Sequence, residues 1–165
     1  MLKVLYYGGQ KSGKSNLAEK KALNLAKNRK PYYIATYNSS YGDSEMLDRV
    51  LKHKKEREDR FTTIEESFNL VNCIKEGETY LIDCISMWIL NSIDKKENEL
   101  LAEIKDIGKI DANIVFVLNS VNNGVSPLDK ESRRFIDLTG IIGQKLASIC
   151  DEVYEVKLGL ESRLK

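Results

Sequence analysis

The run Gly8-Gly9-Gln10-Lys11-Ser12-Gly13-Lys14-Ser15 constrains this chain more than any other stretch. Before it lies Val4–Tyr7, apolar and aromatic, which reads as a short buried strand. After it, Lys14–Lys27 reads as a helix with Leu17, Ala18, Ala22 and Leu25 on one side. Strand, glycine turn and helix in that order gather backbone N–H groups and the positive end of a helix dipole around one point. That arrangement suits the phosphates of a purine nucleoside triphosphate, held by all eight residues Gly8 to Ser15. Lys14 is placed to reach the β and γ phosphates, which makes it a catalytic candidate. The Ser15 hydroxyl is placed to ligate Mg²⁺.

A phosphate loop of this kind needs an acidic residue on a neighbouring strand. Thr79-Tyr80-Leu81-Ile82-Asp83 supplies an apolar strand ending in a carboxylate, so Asp83 is the second expected metal ligand. The ordinary alternative is an aspartate that caps the following helix.

The rest of the chain alternates. Strands are expected at Tyr32–Ala35, Phe61–Ile64, Tyr80–Ile82, Ile114–Leu118 and Val153–Leu158. Helices are expected at Ser44–Arg57, Ser67–Lys75, Glu97–Ile107 and Leu128–Cys150. That alternation implies an α/β domain with a mostly parallel sheet, and 165 residues fit a single domain. Tyr37–Asp43, polar and irregular, follows strand two, where open α/β sheets bind ligands.

The bulk numbers exclude more than they assign. Lys plus Arg number 26 and Asp plus Glu 25, so no global charge argues for nucleic acid or a membrane surface. No apolar run approaches a membrane span. The three cysteines, Cys73, Cys84 and Cys150, are widely spaced and form no CxxC, which favours buried thiols in a reducing cytosol over disulfides or zinc. The first residues run straight into the glycine motif and leave no room for a signal peptide. A cytoplasmic enzyme is the expectation.

His53 is the sole histidine. On a helix it shares one face with Arg49 and Arg57. It suits a packing role on a basic helix. It also suits a nucleophile, because neighbouring cations disfavour the imidazolium and attract a triphosphate. Three readings of the residues stay open here. One is nucleotidyl transfer through His53. A second is a kinase of another small alcohol with His53 structural. The third is a nucleotide-sensing module without turnover.

An ordered set of further residues bears on that choice. Tyr33-Ile34-Ala35-Thr36 follows the glycine motif, then Glu45-Met46-x-x-Arg49-Val50-x-x-His53, Arg57 and Thr63-Ile64-Glu65. Asp83-Cys84-x-Ser86-x-Trp88-x-x-Asn91 and Asn119-x-Val121-x-x-Gly124-x-x-Pro127 come later, with Arg134-Phe135-Ile136-Asp137, Gly140 and Gln144 to Ala147 last. Over nearly the whole chain this set resembles the bifunctional adenosylcobinamide kinase / adenosylcobinamide-phosphate guanylyltransferase family of cobalamin biosynthesis. The resemblance implies a three-layer, RecA-like fold, ATP and GTP as substrates, and a homotrimer. It implies phosphorylation of adenosylcobinamide, then transfer of GMP through a guanylylated His53. It places nucleotide contacts on the glycine loop, on Thr36, Tyr37 and Asn38, and on Arg57, Glu65 and Asp83. Two departures stand out. The family's usual Asn-Glu-Val-Gly is Asn119-Ser120-Val121-Asn122 here, with an expected effect on the corrinoid side. Gly143 replaces a common asparagine.

Overall fold

The computed structural model describes residues 1–38, 59–121, 124 and 126–165. The expected helix over Ser44–Arg57, with His53 and Arg57, lies outside the described residues.

Strand β1 (Lys3–Gly8) runs through the glycine motif into helix α1 (Lys14–Ala26). Strands β2 (Tyr32–Ala35), β3 (Thr62–Glu65) and β4 (Thr79–Asp83) come next, then helices α2 (Ile85–Asn91) and α3 (Glu97–Lys109). Strand β5 (Asn113–Asn119), helix α4 (Lys130–Ile149) and strands β6 (Glu152–Lys157) and β7 (Leu160–Arg163) complete the order. The seven strands form one sheet in the order β3-β2-β4-β5-β1-β6-β7. Every pairing is parallel except β6 with β7.

Alternation along the strands sorts the core into two layers. Val4, Tyr6, Leu81, Val115, Val117 and Val156 face α1, where Ala18 and Ala22 let the helix lie close to the sheet. Leu5, Ile82, Ile114, Phe116 and Leu118 face the other way, against Trp88, Leu100, Ile104, Ile142 and Leu146 of α2, α3 and α4. Helices on both faces of a mostly parallel sheet make the three-layer α/β arrangement that the sequence pattern implies.

Three elements differ from expectation. The helix expected over Ser67–Lys75 is only a 3-10 turn at Leu70–Cys73. Its amides have other partners: the Glu66 carboxylate accepts from the Phe68 and Asn69 N–H groups at 2.8 and 3.0 Å, and the Tyr80 hydroxyl accepts from Lys75 N–H at 2.9 Å. These bonds hold the backbone out of a helical ladder. Helix α2 and strand β7 have no counterpart in the sequence reading. Phe61, expected to open a strand, instead lies just before β3 with its ring buried edge-on to Tyr33.

All three cysteines are free thiols. Cys150 is buried and Cys73 half-buried, and Cys84 is partly exposed as a residue although burial dominates the surroundings of its thiol.

Candidate active site at the glycine loop

The strand ends bring the predicted residues to one edge of the sheet. In the β3-β2-β4 register, Glu65 lies beside Ala35 and Ala35 beside Asp83, at the carboxyl ends of all three strands. Gly8 lies beside Asn119 of β5 and Val156 of β6 at the same edge. This is where an open parallel sheet presents a crevice for ligands.

Close backbone approaches explain two of the glycines. A Cβ on Gly8 would sit 2.5 Å from the Val156 carbonyl oxygen and 2.8 Å from Ser12 Oγ, so no side chain fits there. Gly13 has φ +94° and lies against Gly159, whose Cα is 3.1 Å from where a Gly13 Cβ would be. Lys11 also takes a left-handed conformation, at φ 56°. The Ser12 N–H donates to the Gly9 carbonyl at 3.2 Å, closing the turn, and the Ser120 N–H donates to the Gly8 carbonyl at 2.8 Å. Ser12 Oγ is buried with no hydrogen-bond partner among the described residues. Gln10 and Lys11 are exposed on the loop's outer side.

Helix α1 starts at Gly13 with no side-chain cap and no acidic residue in its first turn. Its first N–H groups therefore stay available to an anion. Lys14 is the first residue of that turn and is only 6% exposed. Its ammonium donates to the Gly9 carbonyl at 3.0 Å. Burial holds its pKa below the usual lysine value, against the opposing pull of Asp83 and, less, of Cys84. A cation kept in a desolvated place beside a bare helix end is matched to a polyanion, whose charge offsets the desolvation. Ser15 follows Lys14 in the same turn, half-buried.

Asp83 ends β4, and Lys14 lies near enough to feel its charge. The Asp83–Cys84 peptide bond is cis. Ser15 and Asp83 offer oxygen donors, the ligand type that hard divalent cations take. Among the described residues no cluster of three or more His, Cys, Asp or Glu side chains forms a metal cage. The Cys84 thiol is pushed up to about 12, mainly by burial and then by Asp83, and stays protonated at neutral pH.

Thr36 is fully buried, and its hydroxyl is committed to the backbone across the sheet. It donates to the Cys84 carbonyl at 2.7 Å and accepts from the Cys84 N–H at 3.0 Å. The Asn91 amide of α2 donates to the Thr36 carbonyl at 2.7 Å and to the Ser67 carbonyl at 3.0 Å. Ser86 Oγ accepts from the Asn119 N–H at 2.8 Å, and Trp88 Nε1 donates to the Phe68 carbonyl at 2.9 Å. The motif Asp83-Cys84-x-Ser86-x-Trp88-x-x-Asn91 thus ties the ends of β2, β4 and β5 to the turn after β3. The sequence displays that motif, but its tethering role is visible only in three dimensions. Tyr37 and Asn38 continue from Thr36, half-buried, and Glu65 ends β3 in an exposed position.

Of the departures, Asn122 lies outside the described residues, while Ser120 and Gly143 are described. Ser120 lies directly beside the glycine loop through its bond to Gly8. Gly143 faces β5, and a Cβ there would meet Leu118 Cδ2 at 3.2 Å, so an asparagine would require Leu118 to move.

Comparison with known proteins agrees with this geometry. Residues 4–164 match the family model described as cobinamide kinase / cobinamide phosphate guanyltransferase. The bifunctional adenosylcobalamin biosynthesis protein CobP of Pseudomonas aeruginosa is 33% identical, with 99% of this chain and 98% of the relative covered. The bifunctional adenosylcobalamin biosynthesis protein CobU of Escherichia coli is 30% identical, over 98% of this chain and 99% of the relative. Among solved structures, the flagellar accessory protein FlaH of Methanocaldococcus jannaschii superposes with a TM-score of 0.56 at 15% identity, covering 99% of this chain and 78% of that one. That likeness bears on the fold alone and agrees with the three-layer α/β arrangement. Among the described residues no helix is long and apolar enough to cross a membrane. By its full-length match and its relatives, this chain belongs to the cobinamide kinase / cobinamide phosphate guanyltransferase family.

Proposed function

We propose that this chain, acting as one domain over residues 1–165, phosphorylates adenosylcobinamide and then transfers GMP to the new phosphate, giving adenosylcobinamide-GDP. The observation that carries the reading is the buried Lys14 ammonium at an uncapped helix N-terminus, in a chain that matches the family model from residue 4 to residue 164.

In the first reaction the aminopropanol hydroxyl of the corrinoid attacks the γ phosphorus of ATP or GTP. The γ–β bridging bond breaks, the nucleoside diphosphate leaves, and the hydroxyl proton is lost to solvent or a base. Lys14 and the N–H groups of the Gly8–Ser15 loop stabilise charge on the transferring group and position it. Ser15 and Asp83 would hold Mg²⁺, which when bound neutralises phosphate charge. In the second reaction the His53 imidazole attacks the α phosphorus of GTP and pyrophosphate departs. A phosphate oxygen of the corrinoid product then attacks the guanylylated histidine and frees the imidazole. The base and sugar are expected toward His53 and the segment near Thr36, and the family resemblance adds Tyr37, Asn38, Arg57 and Glu65 as further nucleotide contacts. A homotrimer, which rests on the family resemblance, and a cytoplasmic setting without nucleic-acid or membrane partners, which rests on the cysteine pattern and the balance of 26 Lys and Arg against 25 Asp and Glu, complete the proposal.

GTP labelled at the α phosphate tests the covalent step. The natural chain should carry acid-labile label, and His53→Ala should carry none while still phosphorylating adenosylcobinamide within about tenfold, roughly 1.4 kcal/mol of barrier. Label retained by His53→Ala would assign the nucleophile elsewhere. Label only on a small alcohol other than the corrinoid would favour a plain kinase.

A further inference from the structure

The hairpin joining β6 to β7 lies at the edge of the sheet, far along the chain from the glycine loop. Its two turn residues, Leu158 at φ 54° and Gly159 at φ 79°, both take left-handed conformations, as a tight two-residue hairpin requires. Leu158 is 95% exposed, so the turn is not there to bury apolar surface. Instead its backbone rests on the loop. The Gly159 N–H donates to the Ser12 carbonyl at 2.8 Å. The Gly159 Cα lies 3.1 Å from where a Gly13 Cβ would be, and Val156 at the end of β6 closes over Gly8.

From this we infer that Gly159 is a positioning residue for the phosphate loop, holding the Ser12–Gly13 peptide in the orientation that aims the Gly13 N–H at a bound phosphate. The inference rests on the reading that this loop binds nucleotide. Its physical basis is the planar trans peptide, in which the carbonyl of one residue and the N–H of the next point in opposite directions. Ser12–Gly13 is not among the cis bonds. With the Ser12 carbonyl drawn to Gly159, the Gly13 N–H must face away from the hairpin. The Gly8 carbonyl is fixed in the same way by the Ser120 N–H, which turns the Gly9 N–H to the opposite side. Without the hairpin bond, Gly13, a glycine at φ +94°, has little of its own to resist a peptide flip. Ser12 Oγ has no partner among the described residues to hold the peptide instead.

The test compares the natural chain with Gly159→Val, because a β-branched residue does not hold φ near +79° and the turn must move. Binding of a fluorescent GTP analogue with Mg²⁺ should weaken about tenfold, and the KM for the phosphate donor should rise about tenfold while kcat changes less than threefold. A purely structural defect would lower the folded fraction, and so the apparent kcat, and leave KM alone. Leu158→Asn, which accepts a left-handed conformation, should bind the analogue within twofold of the natural chain. If Gly159→Val does not fold, amide exchange on the natural chain decides: saturating analogue should slow exchange of the Gly159 N–H more than that of the β7 amides. Unchanged KM and affinity in folded Gly159→Val, or a Gly159 amide indifferent to the analogue, would overturn the inference. A natural chain that binds no nucleotide would instead sink the functional reading on which it rests.

Discussion

Helices α1 and α4 begin in opposite ways. The N-terminus of α4 is closed: the Asp129 carboxylate accepts the Ser132 N–H at 2.7 Å, and Glu131 adds negative charge to the first turn. The start of α3 is closed likewise, by the Glu99 carboxylate on the Lys96 N–H at 2.9 Å. The start of α1 has no side-chain cap and no acid, and it carries a buried lysine where the dipole already favours anions. Capping residues are what a helix uses to stabilise itself. A helix that omits them, and adds a desolvated cation, is arranged for something that arrives from outside. Helix α2 also lacks a side-chain cap and a first-turn acid, so it is the added buried Lys14 that leads us to propose α1 as the helix that meets nucleotide, with α4 supporting it.

That contrast breaks most visibly at Lys14. Lys14→Ala should slow phosphorylation by about a thousandfold or more, about 4 kcal/mol of barrier, in a protein that still melts cooperatively. Steady-state rates beside a thermal melt check this, and unchanged turnover would remove Lys14 from the chemistry. A smaller effect is expected at Asp83. Asp83→Asn should raise the Mg²⁺ concentration for half-maximal rate about tenfold, and an unaltered Mg²⁺ curve would return Asp83 to the ordinary part of a strand-end residue.

The smallest effect belongs to the supporting helix. Asp129→Ala removes a cap and should lower Tm by about 2–4 °C while leaving nucleotide affinity unchanged. The bond from the Ser132 backbone holds the Asp129 carboxyl below the usual carboxylate range. Its contribution is therefore present above the unfolded-state pKa and is lost as pH falls through the depressed native value. In acid the Tm difference between Asp129→Ala and the natural chain should close. A cap mutant that instead weakened nucleotide binding would blur the division between the two helices.

Much of the functional end was legible because local chemistry alone determines it. Gly8, Gly13, Lys14 and Ser15 declare a phosphate loop by their spacing, and the apolar run into Asp83 declares a neighbouring strand. Thr36 and Asn91 were visible as motif positions, yet their bonds to Cys84 and Ser67 depend on the register between strands. Helix α2 carries no helical signature in the sequence because Ile85, Met87, Trp88 and Ile89 lack the one-sided pattern of a surface helix; Ile85, Trp88 and Ile89 are all buried. Strand β7 carries no strand signature because Leu160-Glu161-Ser162-Arg163 is exposed throughout and shows no buried face. The over-long helix at Ser67–Lys75 arose because propensity does not register that Glu66 and Tyr80 will claim the amides. The contact of Gly159 with Ser12 leaves no trace in spacing, since only the assembled sheet brings β6–β7 beside the loop.

The central claim is that the start of α1 sacrifices stability to hold a polyphosphate, and Lys14→Met tests it most directly. Burial lowers the Lys14 pKa from its ordinary 10.5, so the folded state binds this proton less readily than the unfolded chain. Stability should accordingly rise as pH climbs from the lowered value toward the ordinary one, and at pH 7 the charged form is a net cost. Methionine keeps the apolar stem and removes that charge. Urea unfolding and titration with a fluorescent GTP analogue, run on the same Lys14→Met preparation at pH 7, should give opposite signs: a higher unfolding midpoint, with nucleotide binding reduced at least a hundredfold. A lower midpoint, or binding close to that of the natural chain, would contradict the account.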